Sequence, residues 1–279
     1  MKKNIKFLII IFLFPTISFS QTALNLGAPI NTENVEDSPF ISIDGNWLYF
    51  SSNRASGIGG MDIWVSQKVS GTWTTSINLG ATINSSANEG GIYVTLDGNK
   101  LYFTSDRNGG LGGSDIWIST KIDGNWTIPV NLGATINSPA EDGFLYFSSD
   151  GNKLYFSSTR EDGYGGLDIW VSTKTGTTWS EPENLGPAVN TEMDEWCPSL
   201  SADGQKLYFT SNRTGGKGGD DIWMVENIGG SWLHPTSLAE INSLSEELMP
   251  RLFGTTIFFT SSRDGGMGMI DIWVYSYEK

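Results

Sequence analysis

Five arginines stand at matched places in the chain: Arg54, Arg107, Arg160, Arg213 and Arg263. Each is followed eight residues later by an aspartate, at Asp62, Asp115, Asp168, Asp221 and Asp271. A planar guanidinium and a carboxylate suit bidentate pairing. The spacing therefore predicts an Arg–Asp pair closing the Gly-rich loop between the two residues in every repeat. The competing chemistry is a ring of anion ligands, but a binding site rarely needs five identical copies, whereas every loop needs closing. A second acidic series, Glu36, Glu89, Asp142, Glu195 and Glu247, would suit a cation if the oxygens clustered. No Asp-x-Asp-x-Asp-Gly loop is present and one acid per repeat is dispersed. Each acid is expected to accept N–H groups of its own loop, and no metal or cofactor is expected.

Catalytic residue types are scarce. His234 is the single histidine and lies just after Trp232, so a His-based triad is not expected. Cys197 is the single cysteine, which excludes an internal disulfide and leaves the thiol without a histidine partner. Gly59-Gly60 and Gly112-Gly113 lack a following Lys-Ser/Thr and a helix, so they cradle no phosphate; tight loops with positive φ are expected there. Glycosidases on propellers need two carboxylates roughly 5–10 Å apart near the axis. Here the acids fall in register in every repeat, and Asp194 and Glu195 beside Trp196 are the pair to check. The chain is read as non-catalytic.

These residues belong to a repeat. Asp44-Gly45-Asn46-Trp47-Leu48-Tyr49-Phe50-Ser51-Ser52-Asn53-Arg54 returns at Asp97, Asp150 and Asp203, each time after 53 residues, with a shorter copy from Thr256 to Arg263. Each copy has an Asp-Gly turn signal, an aromatic strand, a Gly-rich loop, an Asp-Ile-Trp strand, and a Gly turn before Trp73, Trp126, Trp179 or Trp232. Asn-Leu-Gly follows at Asn25, Asn78, Asn131 and Asn184. Four strands per repeat without helical periodicity predict an all-β, five-bladed β-propeller with four antiparallel strands per blade. The segment Ala23–Gly27 matches a last strand, and Ile270 to Tyr277 matches a third strand. The N-terminal strand is therefore expected to join the C-terminal blade and close the ring.

The first twenty residues differ. Lys2, Lys3 and Lys6 precede an apolar run from Phe7 to Phe14 and a small-residue stretch before Gln21. This predicts a cleaved signal peptide over 1–20, a propeller over 21–279, and a periplasmic or secreted protein with no transmembrane segment after cleavage. The net charge of −14 disfavours nucleic acid and favours cationic partners.

The strings Asp-Gly-x-x-Leu-Tyr-Phe-x-Ser-x-Arg and Gly-Gly-x-Asp-Ile-Trp resemble the WD40-like repeats of the TolB family, called PD40 repeats, in the variety found beside OmpA-like domains of Gram-negative envelope proteins. The resemblance covers the propeller and implies periplasmic scaffolding and protein–protein contact. The OmpA-type second domain and the N-terminal α/β domain of TolB are not expected here, so the resemblance carries fold further than role.

Strand direction then sorts the loops. The Asp-Gly turns and the turns before Trp73 and its equivalents share one face, the turn face. The Gly-rich loops and the Asn-Leu-Gly segments share the other, the loop-rich face, where binding is expected. Period two aims Phe40, Tyr93, Tyr146, Ser199 and Arg251 into the central channel. That ring, with Trp196, is the candidate ligand site: its aromatics would stack a sugar or Arg251 would grip an acidic group, unless the bulky side chains simply plug the channel. Loop tips at Ile58, Leu111, Tyr164, Lys217 and Met267 add variable contacts. The expected partner is an envelope protein or a glycan at the loop-rich face. The rival readings are a glycan-active enzyme and a structural subunit of an envelope assembly.

Overall fold

A computed structural model describes residues 22–277. The predicted signal peptide lies outside the described residues. Five small antiparallel sheets form five blades, and no helix occurs among the described residues. In the first blade the strands run outward from Glu36–Ile41 through Trp47–Ser52 to Asp62–Val69. The next three blades repeat this from Glu89, Asp142 and Glu195, and the fifth runs Glu247–Phe253, Thr256–Ser261, Asp271–Ser276.

The N-terminal strand Leu24–Asn25 pairs antiparallel with Asp271–Ser276 and completes the fifth sheet. The seam reuses the repeat's own chemistry. Asn25 donates to Asp271 at 2.9 Å, just as Asn78 donates to Asp62 at 3.0 Å within the ring. Asn31 reaches the same strand: its side-chain oxygen accepts the Ile272 N–H and its amide donates to the Ile272 carbonyl, both at 2.9 Å.

The outer strand is not the single strand expected. In the first blade it is two short pieces, Thr72–Trp73 and Ile77–Asn78. In the next three blades Pro129, Pro182 and Pro235 occupy the gap, and proline has no N–H for the ladder; the first blade breaks at the same place with Ser76 there. Side chains bridge the break instead: Ser119 donates to the Thr127 carbonyl at 2.6 Å, and Thr127 accepts the Thr120 N–H at 3.1 Å.

Between blades lie the fully buried Phe50, Phe103, Phe156, Phe209 and Phe259 and the nearly buried Asp-Ile-Trp tryptophans. One cluster alone mixes Tyr49, Tyr102, Phe103, Trp117, Phe156 and Trp170 from three neighbouring blades. Burying such rings excludes water from the whole ring of sheets without a disulfide. The Gly-rich loops differ from expectation. Gly59 and Gly112 do not need positive φ; they need the absence of a side chain. A Cβ on Gly112 would lie 1.8 Å from the Ala140 carbonyl oxygen of the following blade. The loop presses so closely because the Gly113 N–H donates to that same carbonyl at 3.1 Å.

Candidate functional site

The recurring charges pair otherwise than their spacing predicts. Arg54 bonds Glu36 at 3.0 Å, not Asp62. The same holds for Arg107 with Glu89, Arg160 with Asp142, Arg213 with Glu195 and Arg263 with Glu247, at 2.5–3.0 Å. The first strand and the strand beside it bring these groups together, and sequence distance hid the partner. Each acid is fully enclosed and saturated: Glu36 also accepts the Thr32 N–H at 2.6 Å and the Ser52 hydroxyl at 2.8 Å. Each arginine additionally stacks on aromatic faces, as Arg54 does over Phe50 at 4.8 Å and Trp64 at 5.3 Å.

The predicted aspartate partners do a different job. Asp115 accepts the Leu111 N–H at 2.5 Å and Asn131 at 3.2 Å, and Asp221 accepts the N–H groups of Lys217 and Gly218 at 2.6 and 3.1 Å. Asp62, Asp168 and Asp271 likewise accept the N–H groups of Ile58, Tyr164 and Met267. These carboxylates shape the Gly-rich loop. The loop tips Ile58, Leu111, Tyr164 and Met267 are left exposed. No group of three or more His, Cys, Asp or Glu side chains suited to a metal ion occurs among the described residues.

The central channel has two dissimilar ends, separated by a β-bulge in every first strand. Ser38, Gly91, Phe144, Cys197 and Met249 take positive φ near 50°, and the register shifts just after each blade's second residue. The bulge turns its N–H away from its own ladder. A hydroxyl of the preceding blade accepts it: Thr104 from Phe144 at 2.9 Å, Ser157 from Cys197 at 3.2 Å, Thr210 from Met249 at 3.0 Å. Cys197 is buried by this arrangement, and burial pushes its thiol well above the ordinary range.

Toward the turn face the bulge leaves carbonyls aimed at the axis. Arg251, only 5% exposed, donates to those of Pro198, Leu145 and Ile92 at 3.0, 3.2 and 3.4 Å. Its guanidinium lies 5.3 Å from the Tyr146 ring centre. Tyr93 packs edge-on between Tyr146 and Phe40, at 5.5 and 5.1 Å. Ser199 is fully buried and hydrogen-bonds Tyr146. The structure therefore brings the expected ring Phe40, Tyr93, Tyr146, Ser199 and Arg251 together, but at the turn end, where it stoppers the channel. The space left is about 80 Å³. Arg251 is engaged by buried carbonyls, which would otherwise stand unpaired, and not by the open loop-rich mouth where an acidic ligand was expected.

Trp196 sits at the other end. Its ring meets Phe144 edge-on at 5.1 Å, and its indole donates to Asp220. Burial raises the Asp220 carboxyl, with the nearby Glu246 and Asp194 adding to the rise. In the four other blades Trp196 is replaced by Asp37, Gly90, Gly143 and Leu248. Asp37 is the residue that sequence reasoning missed. It stands at the ring seam and breaks the hydroxyl relay: its carboxylate accepts the Ser38 N–H at 2.7 Å and the Thr260 hydroxyl at 3.2 Å. Burial pushes its pKa up to about 6 against these two bonds. The signal was available as the one acid in a column otherwise of glycine, tryptophan and leucine. Gly90 beside it leaves a cleft of about 230 Å³ lined by Asp37, Ser38, Thr104, Phe144 and Met249.

No protein-family model matches the sequence, and no curated protein matches it with significance. Solved structures do match the fold. A TolB of Acinetobacter baumannii is 16% identical over 92% of this chain and 63% of its own, with a TM-score of 0.52. This chain thus spans less than two thirds of that TolB. The α-L-arabinofuranosidase PaAbf62A of Podospora anserina, solved with cellotriose, is 13% identical over 93% of this chain and 97% of its own, with a TM-score of 0.51. A GH43_12 protein from a capybara gut metagenome is 15% identical over 93% of this chain and 54% of its own, with a TM-score of 0.57. At these identities the likeness shows a TolB-like propeller fold and no activity.

Proposed function

We propose that the chain is an exported, non-catalytic interaction propeller of the bacterial envelope, of the PD40 type, and that it receives a protein partner at the loop-rich mouth of its channel. One observation carries this reading. Every recurring charged residue serves its own blade, and five-fold repetition breaks down at the loop mouth, where Asp37, Gly90, Gly143, Trp196 and Leu248 occupy equivalent strand positions and an open cleft lies beside Asp37 and Gly90. A cleft beside a half-buried carboxylate and an aromatic ring suits a basic side chain of an inserted protein segment, in keeping with the chain's acidic balance.

The glycosidase-like neighbours raise the rival reading of a glycan-active enzyme. A glycosidase needs two carboxylates across the scissile bond. Asp37 is the single carboxylate in its column, and Glu195, beside Trp196, is bound to Arg213 at 2.9 Å. The test places a photo-crosslinking amino acid at Trp196 and, separately, at Asn152 on the turn face, in the native host. Adducts to one envelope protein from the loop face, lost with Asp37→Asn, are expected. Adducts from the turn face alone, or aryl-glycoside hydrolysis abolished by Asp37→Asn, would sink the proposal.

A further inference from the structure

The turn face carries a second asymmetry that this reading does not use. A cleft of about 510 Å³ opens between the first two blades, within the size range of small-ligand sites. Its walls carry Trp47, Tyr49 and Trp126, and its polar groups include Asp44, Asp97, Asn99 and Lys121. The matching cleft between the second and third blades holds only about 330 Å³. Two substitutions set the larger cleft apart. Trp47, 37% exposed, stands where the next three blades have Lys100, Lys153 and Lys206. Val94 stands where the third blade has Phe147. Phe147 packs 4.7 Å from Tyr102 and 5.9 Å from Trp179, filling the gap between them. Tyr49 and Trp126 hold the equivalent places in the larger cleft, and the short Val94 leaves the gap open.

We infer that this inter-blade cleft is a carbohydrate-binding site for a neutral oligosaccharide. A sugar ring has an apolar C–H face and a rim of hydroxyls, and the cleft supplies a partner for each. Trp47 and Trp126 offer flat apolar faces with polar edges. Lys121 holds its ammonium 4.9 Å from the Trp126 ring centre, ready to donate. The Asp97 carboxylate is a pre-set acceptor: Thr95 donates to it at 2.5 Å and the Asn99 N–H at 3.1 Å. The Thr95 bond leads in holding its pKa below the usual value, so it is ionised and fixed. An apolar peptide would strip water from that carboxylate without replacing the lost bonds, and that is costly. An anionic ligand would meet both Asp97 and Asp44. Hydroxyl groups satisfy the carboxylates and tolerate the lysine. The site lies on the face opposite the proposed protein mouth, so either proposal can fail alone.

The test is calorimetric titration and tryptophan fluorescence of the exported chain with soluble cello-, xylo-, manno-, malto- and chito-oligosaccharides. Trp47→Lys and Val94→Phe install residues that neighbouring blades already carry, so both variants are expected to fold with unchanged melting temperature. Binding of at least one oligosaccharide is expected, weakened about tenfold or more in each variant. Trp196→Ala, on the other face, should bind as the parent does. Absence of binding to every oligosaccharide, or binding that survives either cleft substitution, overturns the site.

Discussion

At the turn end of the channel, Arg251 and three aromatic rings leave about 80 Å³; at the loop end, a cleft of about 230 Å³ lies beside Asp37. The polar groups differ in the same sense. Arg251 satisfies three carbonyls that the bulges turn inward. Asp37 displaces a relay in which hydroxyls accept bulge N–H groups at the four other blade junctions, and it does so with a raised pKa. One charge completes the packing of the ring, while the other strains its own ionisation where the surface is open. Perturbed ionisation in a cleft marks a functional candidate more often than a stabilising one.

Three substitutions sharpen or break that contrast. The largest effect is expected for Arg251→Ala, which orphans buried carbonyls and empties the axis. A loss of about 3 kcal/mol or more in denaturant unfolding is expected. A loss near zero would mean that the turn end is no stopper. Asp37→Asn should act in the opposite direction. The Asp37 carboxyl titrates near 6 when folded and near 3.8 when unfolded, so its stability contribution is full below 3.8 and is lost as pH rises through 6. The aspartate therefore destabilises at neutral pH, and the asparagine variant should gain up to about 3 kcal/mol at pH 7.5 and nothing below about pH 4. A gain that does not depend on pH would break the account. The smallest effect is for Trp196→Ala: the half-buried ring loses its Phe144 contact, for about 1 kcal/mol. A much larger loss would class Trp196 with the stopper.

Much of the fold was legible because the repeat states it five times. The aromatic strand, the Asp-Ile-Trp strand and the leftover outer strand at Asn25 each required one reading. The channel ring was also legible from period two, since Phe40, Tyr93, Tyr146, Ser199 and Arg251 lie beyond the bulge, in the regular part of each first strand. Its depth was not. The bulge at Ser38 and its equivalents is invisible to alternation, and it decides which end of the channel each residue faces. Pairing of the arginines was misread because Glu36 precedes Arg54 by a strand and a turn, while Asp62 is nearer in sequence. The open clefts came from columns that repetition makes easy to pass over: one tryptophan among lysines at Trp47, and one acid among uncharged residues at Asp37.

By itself, then, the sequence determined the blade, the number of blades, the closure of the ring and the set of residues that vary among otherwise equal positions. These follow from local pattern, since turn residues, strand period and repeat length act along the chain. Only the tertiary structure decided which charges meet, which end of the channel is sealed and where space is left. Those outcomes depend on contacts between blades, such as Thr104 with Phe144 or Tyr102 with Phe147, and on volumes that no single strand defines.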